Sequence, residues 1–115
     1  MSDEQRAARR DQRAVEDILE FCDQAARLVA RGREAFENDE MLPLAGEVLA
    51  QRVGEAASRL SQTFQDQHPD VPWRAIRGMR NLVVHDYGRI DHRMVWNTLA
   101  ADFPALANEL TDRPV

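Results

Sequence analysis

Between about Asp11 and Ala30 the apolar residues Val15, Ile18, Leu19, Cys22, Ala26 and Val29 recur at steps of three and four, with Glu16, Asp17, Glu20 and Asp23 in the gaps. That is the period of an amphipathic helix with one narrow seam. The period returns from Leu42 to Gln67, where Ala45, Val48, Leu49, Val53, Ala56, Ala57, Leu60 and Phe64 share a face. Pro72-Trp73 opens a third stretch, running to about His85 with Ile76, Met79, Leu82 and Val83 on its apolar side. Asp91 reads as the N-cap of a last helix carrying Met94, Val95, Leu99, Phe103, Leu106 and Leu110. The expectation is an all-α fold, an antiparallel bundle of four to five helices. At 115 residues the chain has room for one core, so a single domain over 1–115 is expected.

The breaks between these stretches have local causes. Residues 1–10 are polar and either fray or extend the first helix. Arg31-Gly32-Arg33 interrupts the pattern, and Glu34 to Asp39 makes a short helix or turn around Phe36. Pro43 fits a first helical turn, where a missing N–H costs little. Gly46 and Gly54 each weaken a helix by about 1 kcal/mol relative to Ala, or else permit close helix approach. His68-Pro69-Asp70-Val71-Pro72 ends the second stretch, Gly88 is placed to stop the third, and Pro104 should break or kink the last near Phe103.

The net charge of −5 argues against a general nucleic-acid coat. Its distribution says more. Residues 74–93 hold five Arg against two acids, whereas residues 1–73 hold nine Arg against fifteen acids, so phosphate chemistry is expected in the later segment. The single Cys22 cannot form an internal disulfide and is expected to be a small buried side chain. No apolar run approaches the roughly 18 residues of a membrane span, and the charged start Met1-Ser2-Asp3-Glu4 does not read as a secretory signal. A cytoplasmic protein is expected.

An arginine, an amide, a histidine, an acid and the only tyrosine gather within ten positions at Arg80, Asn81, His85, Asp86 and Tyr87. Histidine, with an unperturbed pKa of about 6.5, suits proton transfer near neutrality. Arginine suits a phosphate through paired hydrogen bonds and stabilises charge on phosphorus. Arg74, Arg77 and Arg89 are further phosphate candidates. Five helical positions rotate a side chain by roughly 140°, so Arg80 and His85 do not share an ideal helical face. Either the helix loosens or a second copy of the chain completes the site. Arg77 and Asn81, four apart, do share one.

Each of these residues also has a plainer reading. Arg80 can pair with Asp86 or an acid on a neighbouring helix, His85 can cap a helix, and Tyr87 can pack on the core. Trp73 and Trp96 read as core or interface anchors, and His68 and His92 as ordinary loop and first-turn residues. Neither a helical i, i+4 His pair nor a Cys cluster supports a metal site from His85, Asp86, Asp91 and His92, so no metal or cofactor is expected.

The run from Pro72 to Tyr87, with Gly78-Met79-Arg80-Asn81 inside it, resembles the HepT toxins of the HEPN superfamily and their R-x4-H-x-Y motif. Val95-Trp96, Asp102-Phe103-Pro104-Ala105-Leu106 and Gly54-Glu55-Ala56 match as well, and the resemblance covers most of residues 44–110. It implies a HEPN-like bundle that dimerises, so that two motifs face one cleft. It further implies metal-independent cleavage of RNA, whether tRNA or mRNA, and a nucleotidyltransferase antitoxin of the MntA type as partner. By position, Arg80 and His85 become the catalytic pair, Asn81 the assisting polar residue and Tyr87 the acceptor of AMP. The chain departs from the family at Leu44-Ala45-Gly46-Glu47 and at Gly88-Arg89. The alternative is a non-catalytic helical module that binds RNA or nucleotide or docks a nucleotidyltransferase.

Overall fold

The computed structural model describes residues 1–81 and 91–111. Helix α1 spans Asp3–Val29 and includes the polar start. Ser2 fixes that end: its hydroxyl accepts the Gln5 N–H at 3.1 Å while its own N–H donates to Gln5 Oε1 at 2.8 Å. Two donors that a helix start leaves unmatched are thereby satisfied, and Asp3 and Glu4 lie at the positive end of the dipole. The buried stripe of α1 is Ala14, Ile18, Cys22, Ala25 and Leu28, so Ala26 points to solvent and Val15, Leu19 and Val29 flank the core. Packing thus sets the seam at Ala14, Ala25 and Leu28, each one position before the expected Val15, Ala26 and Val29. Burial pushes the Cys22 thiol up to about 12.

Gly32, at φ +96°, turns the chain into α2, Arg33–Asn38. This short helix drives Phe36 into the core at 1% exposure, edge-on to Trp96 with ring centroids 5.2 Å apart. Helix α3 spans Met41–Ser58, with Pro43 in its first turn as expected. It does not continue to Gln67. The chain turns at Arg59 and Leu60, and Ser61 caps a separate α4, Gln62–Asp66, by accepting the Phe64 N–H at 3.1 Å. The Asp11 carboxylate of α1 accepts the Ser61 N–H at 2.7 Å and its hydroxyl at 2.6 Å. The apolar period runs through this break unchanged, so periodicity misses what a cap and a carboxylate fifty residues away impose.

Helix α5 spans Trp73–Gly78 and passes into a 3₁₀ turn at Met79–Asn81. Asp91 caps α6, His92–Asn97, by accepting the Met94 N–H at 3.1 Å, as expected. The chain then makes a π-turn over Thr98–Asp102 and continues as α7, Phe103–Thr111. The Phe103 N–H donates five residues back, to the Thr98 carbonyl, just before Pro104 removes a donor from the ladder. Pro104 therefore acts through a wide turn of helix rather than a break.

The bundle is all-helical among the described residues, in seven α-helical segments rather than four or five because α3–α4 and α6–α7 are interrupted. Its buried side chains form one cluster drawn from α1, α2, α3, α5, α6 and α7. Both helix glycines of α3 permit close approach. A Cβ on Gly46 would lie 2.7 Å from Val95 Cγ1 and 2.8 Å from Leu99 Cδ1. No described helix is long and apolar enough to cross a membrane.

Candidate active site

Arg80 stands in the middle of the 3₁₀ turn that follows α5. The turn lies directly on α3, because a Cβ on Gly54 would come within 2.5 Å of the Arg80 backbone N and 2.9 Å of the Ile76 carbonyl O. Only a residue without a side chain lets the two backbones meet there. Ser58, one turn further along α3, donates its hydroxyl to the Gly54 carbonyl at 2.9 Å and accepts Arg80 Nη1 at 3.4 Å. That second contact is long and holds the guanidinium weakly. Arg80 is exposed, and among the described residues it has no carboxylate partner. The ion pair with an acid of a neighbouring helix is absent from them, and Asp86, the other partner named for Arg80, lies outside the described residues.

Arg77 is differently placed. Its Nη1 donates to Gln65 Oε1, and Gln65, buried to 7% exposure, donates its amide to the Leu60 carbonyl at 3.0 Å. Arg77 thus ties α5 to the α3–α4 junction, a structural use that its charge did not signal. Arg74 and Asn81 are exposed. The expected shared face of Arg77 and Asn81 assumed an α-helix through to His85. The 3₁₀ turn advances roughly 120° per residue instead of 100°, so Asn81 is carried about 60° beyond that alignment. The helix tightens into the 3₁₀ turn already at Met79, whereas the loosening expected near His85 falls outside the described residues. His85, Asp86, Tyr87 and Arg89 lie outside the described residues, as do Leu82, Val83 and Gly88.

The surrounding aromatics are anchors. Trp73, 7% exposed, donates its indole N–H to the His68 carbonyl at 3.1 Å and meets Phe64 edge-on. Trp96 packs on Phe36 with Arg33 above its ring at 5.9 Å. His68 is not the ordinary loop residue expected: it is 4% exposed, its ring 4.5 Å from that of Phe64. His92 begins α6 as expected, near Phe36. Among the described residues no three His, Cys, Asp or Glu side chains cluster as metal ligands would.

Between α5 and α7 lies a cavity of about 300 Å³ walled by Val71, Ile76, Met79, Phe103 and Leu106. Asp70, Asp102 and Glu109 also line it. Three carboxylates repel phosphate, so this cavity is unsuited to an RNA backbone. In the family-departing stretch on α3, Gly46 and Glu47 are buried while Leu44 and Ala45 face solvent.

A helical core that offers from a tight turn an arginine without a carboxylate partner among the described residues, directly ahead of the Leu82–Tyr87 segment in sequence, is consistent with a small HEPN-type domain. Within that class the chain belongs to the HepT-like ribonuclease family, whose model, described as "Ribonuclease HepT-like", matches residues 4–112. A Caldanaerobacter subterraneus subsp. tengcongensis protein named as a candidate RNase is 30% identical over 99 residues, which cover 85% of this chain and 88% of that one. A candidate RNase of Methanocaldococcus jannaschii is 31% identical over 75 residues, covering 65% and 69%. A protein of Thermococcus cleftensis, named as a candidate ribonuclease HepT, is 37% identical over 54 residues, covering 47% and 49%. No solved structure matches the chain at a significant level.

Proposed function

We propose that this chain is the toxin of a HepT/MntA-type toxin–antitoxin pair, a metal-independent endoribonuclease of the cytoplasm that uses Arg80 and His85. The observation that carries the reading is Arg80, exposed without a carboxylate partner among the described residues, on a turn seated against Gly54. A guanidinium left that way is available to an anion. In the reaction His85 accepts the proton of a ribose 2′-hydroxyl and the freed oxygen attacks the adjacent phosphorus. Arg80, assisted by Asn81, stabilises the added negative charge. The 5′-oxygen leaves and takes a proton from water, giving a 2′,3′-cyclic phosphate and a 5′-hydroxyl. Arg74 and Arg89 contact neighbouring phosphates, with Arg77 fixing the turn and supplying charge.

The working form is a homodimer in which two motifs share one cleft. Met41, Leu44 and Val48 on α3 support it: spaced by three and four, they expose 63%, 45% and 45% of their surface as one apolar stripe. An MntA-type antitoxin neutralises the enzyme. It transfers AMP from ATP to the Tyr87 hydroxyl with loss of pyrophosphate, placing negative charge two residues from His85.

Two experiments test this reading. Wild-type chain should arrest growth and cut cellular RNA while His85→Ala does neither; equal toxicity and equal cleavage would remove His85 from catalysis. RNA that binds both proteins but stays intact would instead support the non-catalytic module. Chain co-expressed with its nucleotidyltransferase should gain discrete AMP mass steps by intact mass spectrometry, lost in Tyr87→Phe. Steps that persist in Tyr87→Phe would place the modification elsewhere.

A further inference from the structure

The first half of α1 carries Arg6, Arg9, Arg10 and Arg13. At 100° per residue they fall within about 100° of arc and along about 10 Å of helix, one narrow face. With Met1 they line a single concavity of about 180 Å³. Arg6 is engaged, donating to Asp3 at 2.6 Å and to the Met1 carbonyl at 3.0 Å. Arg9, Arg10 and Arg13 make no ion pair or hydrogen bond among the described residues.

Helix stability does not explain this arrangement. Cations near the positive end of a helix dipole are unfavourable, and like charges three and four apart repel. The next turns of the helix carry the opposite charge, Glu16, Asp17, Glu20 and Asp23. Against Asp3, Glu4 and Asp11 in the same turns, the four arginines still leave this end of an acidic protein locally basic, and they converge on one concavity, where an anion would relieve their repulsion.

We propose that this face binds the phosphate backbone of RNA, at a site separate from Arg80. Guanidinium groups pair with phosphate oxygens two bonds at a time, and three without protein partners can follow consecutive phosphates. A protein partner fits less well, because the residues between the arginines are Ala7, Ala8, Asp11 and Gln12, and Met1 is the one large apolar side chain lining the concavity, with no aromatic anchor beside it. The choice of RNA rests on the ribonuclease reading; the phosphate chemistry does not.

The test uses full-length chain and a labelled 2′-O-methyl RNA, which cannot be cut because the attacking hydroxyl is blocked. Affinity is read by fluorescence anisotropy from about 50 to 200 mM salt, where each single-strand phosphate contact contributes about 0.7 to the slope of log affinity on log salt. In the triple variant Arg9→Gln, Arg10→Gln, Arg13→Gln the slope should fall by about 2, shrinking the affinity loss over that range by roughly twentyfold. The triple Lys variant should keep the slope, as should Arg31→Gln. Single Arg9→Gln and Arg13→Gln should each lower it by about 0.7, and they decide the matter if the triple variant loses its helix by circular dichroism. Wild-type slope in the folded triple variant, or in both single variants, overturns the proposal. If wild-type chain cuts ordinary RNA while the triple variant binds unchanged, this proposal falls and the ribonuclease reading stands. An arginine-dependent slope in a chain that leaves ordinary RNA intact means the reverse.

Discussion

Arg80→Ala is expected to slow RNA cleavage by about 10²- to 10³-fold, the usual effect of removing one donor that stabilises charge developing in a transition state, roughly 3 to 4 kcal/mol. The loss should appear in the rate constant of the chemical step under single-turnover conditions. Stability should scarcely move. Arg80 is exposed, and its one hydrogen bond, to Ser58, is 3.4 Å long. A surface change of that kind is ordinarily within about 0.5 kcal/mol. Arg80→Lys should recover part of the rate, since the charge returns without the two-pronged geometry. An unchanged rate constant in a folded Arg80→Ala protein would place the phosphate contact elsewhere, with Arg74 the next candidate. A large fall in melting temperature would make Arg80 a structural residue.

Gly54→Ala should damage both fold and activity. Alanine favours a helix over glycine by about 1 kcal/mol, so propensity alone predicts stabilisation. The new Cβ would lie 2.5 Å from the Arg80 N and 2.9 Å from the Ile76 O. Both are backbone atoms that no rotamer change can move aside. Overpacking of this kind costs about 1 to 3 kcal/mol, and two such clashes put it at the upper end, a net loss of about 2 kcal/mol. Relief requires the Met79–Asn81 turn to move away from α3. A displacement of about 1 Å at a catalytic group can cost around 10²-fold in rate, so Gly54→Ala should lose activity even where it is fully folded. Denaturant melts and cleavage rates on the same preparation separate the two effects. Gly46→Ala is the control: it clashes with the side-chain tips of Val95 and Leu99, far from Arg80, and should lose stability without the same loss of rate per folded molecule. A Gly54→Ala protein more stable than wild type and equally active would show that the turn does not depend on this close approach.

The helical class, the start of the third helix at Pro72-Trp73 and the Asp91 cap were legible in the sequence because each rests on residues within one or two turns of each other. The two glycines were legible only as alternatives. A glycine in a helix signals either weakness or contact, and which one holds depends on Val95, Leu99, Ile76 and Arg80, residues remote in sequence. The α3–α4 break was missed for the same reason. Leu60 and Phe64 keep the helical period, while the cap at Ser61 is held by Asp11. On α1 Ile18 and Cys22 were placed correctly on the stripe, but Ala26 was read for Ala25, because the two are chemically identical and only the packing chooses between them.

At the site, the density of Arg80, Asn81, His85 and Tyr87 was plain from the sequence. The anchoring of Arg77 by Gln65 was not, since neither residue's type announces the other. Net charge hides local pattern: residues 1–73 total −6, a sum that conceals the four arginines clustered on one face near the start of α1. His85, Asp86, Tyr87 and Arg89 lie outside the described residues, so the roles of His85 and Tyr87 rest on their place in the R-x4-H-x-Y motif and that of Arg89 on its charge.

The most direct test of the central claim is the chemistry of the ends. Purified wild-type chain should cut a defined RNA in the presence of excess chelator, leaving 2′,3′-cyclic phosphate and 5′-hydroxyl ends. A single 2′-deoxy substitution at the cut position should abolish that cut, and His85→Ala should leave the RNA whole. Intact RNA with the wild-type chain, equal cleavage by His85→Ala, or 5′-phosphate ends formed only with added metal would contradict the account.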